Sequence, residues 1–279
     1  MRTIIAVYRL AGFLGLMAAF YFAWLLGLPA VIFSREYSWR WRCLIFRHWA
    51  RATAFVMGIE ISLKGAVPAG PAYLVANHLS YIDVITLAAH FDSQFIAKSE
   101  VAEWPLLGFL SRRMGTIFID RQRRRDILRV NALIEESLRE GRSVVLFPEG
   151  TTTSGAEVGS FKSSLLEPAV KLGHPVFYAT LNYRTHEDDQ PAANSVCWWG
   201  DMDFMPHLWR MFMLKEIKAR VQFGEDSVTE RDRKVLARSL QDAVEREFVP
   251  VRYDRINENM EEQWLTQKED LNRKLAGLQ

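Results

Sequence analysis

Between residues 11 and 33 the chain carries no charged side chain, and residues 4–10 prolong this apolar run with Arg9 as its one interruption. A run of that length can cross a bilayer as a helix. It does not read as a signal peptide: the apolar part outlasts the usual core of one, no A-x-A-like cleavage site closes it, and Phe, Tyr and Trp fill its middle. Pro29 can kink or end the helix, so a re-entrant hairpin competes with a true span. Residues 34–58 then interleave Trp39, Trp41, Leu44, Ile45, Trp49 and Phe55 with Arg35, Arg40, Arg42, Arg47, His48 and Arg51. Rings beside cations at helical spacing predict a second helix lying among lipid headgroups. A buried helix with a solvated basic face is the competing reading. The arginine excess after the apolar run, against Arg2 and Arg9 before it, places the remainder of the chain on the cytoplasmic side of a membrane.

From Glu60 onward the pattern shortens to β-rich runs separated by helical ones. Strands are expected at residues 59–63, 73–76, 94–97, 116–119, 143–147, 176–182, 196–199 and 217–223, and helices at 81–90, 103–112, 123–140, 162–172 and 229–247. This alternation predicts an α/β fold: a mixed, largely buried β-sheet flanked by helices, preceded by an N-terminal membrane-binding helical motif. Three parts follow: membrane-anchoring helices over 1–58, the α/β domain over 59–250, and a charged tail or solvated helix over 251–279.

Composition narrows the partners. With 279 residues and 49% apolar content the chain can bury a full core, and a formal charge of +2 is too small to argue for nucleic acid. Cys43 and Cys197 lie far apart, with neither metal-ligand spacing nor a disulfide framework, which suits a reducing compartment.

The chemistry concentrates in Val75-Ala76-Asn77-His78-Leu79-Ser80-Tyr81-Ile82-Asp83, polar residues on the turn between an expected strand and the helix after it. A neutral imidazole can take a proton from a hydroxyl, and a carboxylate on its other nitrogen fixes the tautomer and stabilises the imidazolium. This pair has no nucleophile of its own, so the activated hydroxyl is one a substrate brings. A structural reading competes: Ser80 with Asp83 three residues later fits a helix capping box. Three other stretches combine a strand end with polar groups. The first is Gly115-Thr116-Ile117-Phe118-Ile119-Asp120-Arg121, followed by Arg123, Arg124 and Arg125, which suits a phosphate or carboxylate. The second is Phe147-Pro148-Glu149-Gly150-Thr151-Thr152, a turn with amides and hydroxyls free to meet a ligand. The third is the strand opening at Pro175-Val176.

In order and wording these stretches resemble the PlsC-like glycerolipid acyltransferases, the lysophosphatidic acid acyltransferase family: NHxxxxD from Asn77 to Asp83, GxxFIDR from Gly115 to Arg121, FPEGT from Phe147 to Thr151, and the Pro175-Val176 strand. The resemblance covers roughly residues 60–225. It implies that His78, oriented by Asp83, deprotonates the hydroxyl of a lysolipid, which attacks the thioester of acyl-CoA or acyl-carrier protein with no acyl-enzyme. It further implies oxyanion donors at Lys98 and near Gly150 and Thr151, acceptor binding by Arg121, Glu149 and Asn77, no metal and no cofactor beyond the acyl donor. The bilayer is the expected partner, and the cytoplasmic face of the inner membrane the location in a bacterium. Two departures bear on the acceptor. Thr152 stands where many members carry arginine, and Tyr178 lies near the place of the second proline in the fourth block. Acylation of 1-acyl-glycerol-3-phosphate to phosphatidic acid is the first expectation. A lyso-ornithine lipid or another lysophospholipid is the alternative acceptor, and a non-catalytic lipid-binding protein or a thioesterase is a more distant one. The apolar, Met- and Trp-rich stretches 104–110 and 205–214 suit either an acyl-chain channel or core packing.

Overall fold

A computed structural model describes residues 2–251, and the expected charged tail lies outside the described residues. Helix α1 (Arg2–Phe33) continues through Pro29, and α2 (Arg35–Met57) returns alongside it. Two local signals punctuate the second helix. Ser34 caps its start by accepting from the Tyr37 amide, and Gly58 ends it in the left-handed conformation that a residue without Cβ adopts most cheaply.

The remainder is a seven-stranded sheet. Its strands are β1 (Ile59–Lys64), β2 (Tyr73–Ala76), β3 (Gln94–Lys98), β4 (Ile117–Ile119), β5 (Val144–Leu146), β6 (Val176–Thr185) and β7 (Ile217–Phe223). They lie in the order β1-β7-β6-β2-β5-β3-β4, and every neighbouring pair is parallel except β6 with β7. The sheet is therefore mixed, as the alternation predicts. β2 and β5 are buried at every position because helices cover both faces. Leu74, Val145, Leu181 and Tyr183 pack on one face with α1, α2, α3 (Ile82–Ala88) and the last turns of a helix introduced below. Tyr73, Val75, Val144 and Leu146 pack on the other with α5 (Arg124–Arg139), α6 (Glu167–Leu172) and α9 (Arg233–Glu247).

Three expectations change. Residues 196–199 form no strand: Val196 and Cys197 are fully buried, but their amides bond back to the carbonyl of Ala192, the first residue of α7 (Ala192–Ser195), and Trp198 bonds to Leu79. Apolar character there reports burial, which a loop tucked under other elements reaches as well as a strand does. The helix expected over 103–112 is broken around Pro105 into a 3₁₀ turn (Ser99–Glu103) and α4 (Leu107–Arg113). The helix expected over 162–172 likewise divides into a 3₁₀ turn (Ser163–Leu165) and α6, which has Pro168 in its first turn. Residues 204–212 form α8 (Phe204–Phe212), the helix that closes the α1 side of the sheet.

The arginines of α2 are partly committed to the fold. Arg47 pairs with Asp92, Arg51 donates to the Ala89 carbonyl at 2.7 Å, and Arg40 pairs with Glu36 at 2.8 Å. Phe46, Trp49, Ala50 and Met57 are buried, so α2 is a packed helix on its inner face. The start of α1 is tied down too. Arg2 bonds to the Asp188 carbonyl and pairs with Asp189 at 3.1 Å, and Arg9 donates to the carbonyls of Leu214 and Lys215. Residues 2–27 are long and apolar enough to cross a membrane by length and composition.

Candidate active site

In a sheet of parallel strands the loops beyond the carboxyl ends converge, and four neighbours here, β2, β5, β3 and β4, run parallel. His78 follows β2, Gly150 follows β5, Lys98 ends β3 and Arg121 follows β4. This topology brings residues up to 72 positions apart to one edge, where they line a single cavity of about 420 Å³. Asp83 reaches the same place by standing in the first turn of α3.

His78 Nδ1 lies 2.7 Å from Asp83 Oδ2, and the Asp83 side chain is fully buried. A carboxylate only accepts, so the proton of the neutral ring sits on Nδ1 and Nε2 keeps its lone pair. The ring stacks on Phe147 with centroids 4.0 Å apart and planes within 10°. Asp83 also accepts from the amides of Leu79 at 2.7 Å and Ser80 at 3.0 Å, and from the Tyr183 hydroxyl at 2.6 Å. One carboxylate thus both braces the turn and contacts the imidazole. The Ser80 half of the capping box is not made, because the buried Ser80 hydroxyl has no partner among the described residues.

Tyr183 was not singled out by sequence reasoning. It is wholly buried, its hydroxyl lies 3.3 Å from that of Thr86, and burial together with the Asp83 charge holds its phenol protonated far up the pH scale. Alternation along β6 places Ala179, Leu181 and Tyr183 on one face, so its side was readable; its meeting with Asp83 was not.

Glu149 is 4% exposed and does not line the cavity. One oxygen accepts from the His78 amide at 2.6 Å and the other from the Gly159 amide at 2.8 Å, while the His78 carbonyl accepts from the Thr153 amide at 2.9 Å. The loop after β5, through Glu149 and Thr153, therefore clamps the backbone of His78 from both sides. Burial raises the Glu149 carboxyl to about 7, against the opposing pull of the two amides. Since the folded chain holds this proton more tightly than an unfolded one, with a reference value of 4.5, stability falls as pH rises from about 4.5 to about 7 and then levels. Thermal unfolding of wild type and Glu149→Gln across that window should show the wild type losing about 1–3 kcal/mol relative to the variant. Parallel pH profiles for the two proteins would contradict this.

Asn77 stands apart from the expectation of substrate contact. Its Nδ2 donates to the Leu181 carbonyl at 3.0 Å and its Oδ1 accepts from the Leu181 amide at 2.7 Å. The side chain is buried and absent from the cavity wall, so its amide is spent on joining β2 to β6. The Gly150 amide closes its own turn on the Phe147 carbonyl at 3.1 Å, whereas Thr151 lines the cavity with no acceptor for its amide among the described residues. Lys98 lines the cavity and pairs with Glu100 at 2.7 Å. Arg121 also lines it, and Glu100 is the carboxylate that acts on its charge.

The rest of the wall is apolar. Phe13 from α1, with Phe46, Trp49 and Met57 from α2, faces the same space as His78. Trp104, Leu107 and Leu110 line it from the first Trp-rich stretch, and Leu208 from the second, with Phe204 just ahead of it. Met211, Phe212 and His207 turn inward to the core, so one face of α8 lines the cavity and the other packs into the core. Buried His207 is lowered to about 4 by desolvation, remains neutral, and fixes the Tyr81 hydroxyl 3.1 Å from its Nδ1.

A histidine–carboxylate pair at the edge of parallel strands, on the wall of a largely apolar cavity that also carries Lys98 and Arg121, is a site suited to an enzyme with an apolar, anionic substrate. The comparisons agree. The family model described as Acyltransferase matches residues 58–180. A 1-acyl-sn-glycerol-3-phosphate acyltransferase of Neisseria meningitidis is 32% identical over 193 residues, 68% of this chain and 74% of that one. A lyso-ornithine lipid O-acyltransferase of Pseudomonas aeruginosa is 34% identical over 199 residues, 71% and 76% of the two chains. The crystal structure of PlsC from Thermotoga maritima, a 1-acyl-sn-glycerophosphate acyltransferase, superposes with a TM-score of 0.59 at 20% identity, covering 85% of this chain and 95% of that one. The chain belongs to the PlsC-like acyltransferase family and is an acyltransferase.

Proposed function

We propose that this acyltransferase transfers a fatty acyl group from acyl-CoA or acyl-carrier protein to the free hydroxyl of a lysolipid, with 1-acyl-glycerol-3-phosphate as acceptor and His78 as general base. The observation that carries the reading is the His78–Asp83 bond beside a cavity with both cationic and apolar walls. Nε2 takes the hydroxyl proton as the oxygen attacks the thioester carbon; the tetrahedral oxyanion is met by Lys98 or the Thr151 amide; collapse expels the thiolate, which recovers the proton. Lyso-ornithine lipid is the second reading. Thr152 on the cavity wall supplies no cation there, and relatives with that printed activity match this chain as fully as the phosphate-using ones.

Arg9, in the early turns of α1, reaches Gly58 at the end of α2 and the Lys215 carbonyl, so the start of one helix and the end of the other lie together beside the sheet. This supports a hairpin that dips into a membrane from the cytoplasmic face over a complete span.

The direct test incubates purified protein with acyl-CoA and, in parallel, 1-acyl-glycerol-3-phosphate, lyso-ornithine lipid and lysophosphatidylcholine, following thiol release and acylated product. Free fatty acid without any lysolipid would replace the reading with a thioesterase, and binding without thiol release with a lipid carrier. Within this scheme Tyr183 positions Asp83. Its replacement by phenylalanine keeps the packing and removes the donor to Oδ1, so kcat should fall about tenfold with both Michaelis constants nearly unchanged. A wild-type kcat would make the phenol a packing group only.

A further inference from the structure

The sequence draws attention to Arg121 as a cation for the acceptor, but the fold brings a second cation to the same spot. Gly150 has a positive φ of 76°, and a Cβ placed on it would lie 2.9 Å from Lys162 Nζ and 3.1 Å from Arg121 Nη1. Both nitrogens therefore lie beside Gly150, Arg121 on the cavity wall and Lys162 on an exposed side chain at its rim, outside the lining itself. Lys162 is not there by chance of a long side chain, for its backbone is fixed to this turn. The Lys162 amide donates to the Pro148 carbonyl at 2.9 Å, and Gly159, three residues earlier, donates to Glu149.

The carboxylates nearby are already used. Glu100, whose charge also acts on Arg121, is bonded to Lys98, and Glu149 is held by two backbone amides. Among the described residues neither Lys162 nor Arg121 makes an ion pair or side-chain hydrogen bond. Two like charges converging on one point repel each other, and an anion between them turns that repulsion into two charge-assisted contacts.

We propose that Lys162 and Arg121 together grip the anionic group of the acceptor over Gly150, making Lys162 a specificity-determining residue for substrates that carry a phosphate or carboxylate near the reacting hydroxyl. This rests on the acyl-transfer reading above. The position favours the acceptor over the donor for a reason of reach. Gly150 adjoins Glu149, which bonds the His78 amide, and His78 and Gly150 line one cavity. In a lysolipid only a few bonds separate the acidic head from the hydroxyl. The phosphates of a coenzyme thioester lie a whole pantetheine arm from the reacting carbon.

The test is steady-state kinetics of the full chain and of Lys162→Gln, Lys162→Arg and Arg121→Gln. Acceptors are 1-acyl-glycerol-3-phosphate for the phosphate, lyso-ornithine lipid for the carboxylate, and an uncharged monoacylglycerol as control. Lys162→Gln should raise KM for an anionic acceptor about tenfold, leave KM for acyl-CoA and transfer to the monoacylglycerol within about twofold, and be largely rescued by Lys162→Arg. The anionic acceptor whose KM responds identifies the head group. An unchanged acceptor KM, or an equal rise for acyl-CoA, overturns the assignment of Lys162 while wild-type turnover still upholds acyl transfer. Wild type that acylates no anionic lysolipid sinks both.

Discussion

Replacing His78 by alanine should lower kcat for acyl transfer by about 10²–10⁴-fold, the usual contribution of a positioned general base, while unfolding temperature and lipid binding stay close to wild type. The alanine variant is a cleaner probe than any change at Asp83. That carboxylate is fully buried and serves four donors: the imidazole, the amides of Leu79 and Ser80, and the Tyr183 hydroxyl. Asparagine there would lose acceptors at several of them, mixing misfolding with lost catalysis. The His78 ring, by contrast, makes one polar side-chain contact and one stack, on Phe147. Undiminished turnover in His78→Ala would remove the imidazole from the reaction, whatever the geometry around it.

The second large effect is expected in stability, at Asn77. Alanine at this position would delete both hydrogen bonds to Leu181 and leave a buried amide and a buried carbonyl without partners in the middle of the sheet. A loss of about 2–4 kcal/mol follows, read as a lower denaturant midpoint, with KM for either substrate little changed in the protein that remains folded. Aspartate should be no better, because it would set a carboxylate against the Leu181 carbonyl. The opposite pattern, normal stability with a raised acceptor KM, would return Asn77 to the substrate-contact role that its place in the NHxxxxD motif suggests.

These two neighbours show where sequence reasoning reaches and where it stops. Their motif marks both equally, yet one side chain faces the cavity and the other faces a strand more than a hundred residues away. The direction of each side chain on the turn after β2 depends on which strand lies beside β2, and that neighbour, β6, is fixed by nonlocal packing. Glu149 carries the same lesson. A glutamate on a Pro-Glu-Gly turn reads as a ligand contact, but both its oxygens are spent on the amides of His78 and Gly159. Residues 196–199 show it for secondary structure, since burial alone gives a loop the composition of a strand.

By itself the sequence determined whatever depends on local order: two helices of opposite character at the start, the alternation that builds a mixed sheet, the polar turns at strand ends, and the pairing of His78 with Asp83 five residues later. Short spacing on a turn keeps the two side chains within reach of each other whatever strand lies beside them. Tertiary structure alone decided that Tyr183 completes the carboxylate's shell, that Glu149 and Asn77 serve the scaffold, and that Lys162 joins Arg121 over Gly150. Those meetings join segments dozens of residues apart, and only the parallel order β2-β5-β3-β4, with β6 at the flank of β2, brings them within reach of one another.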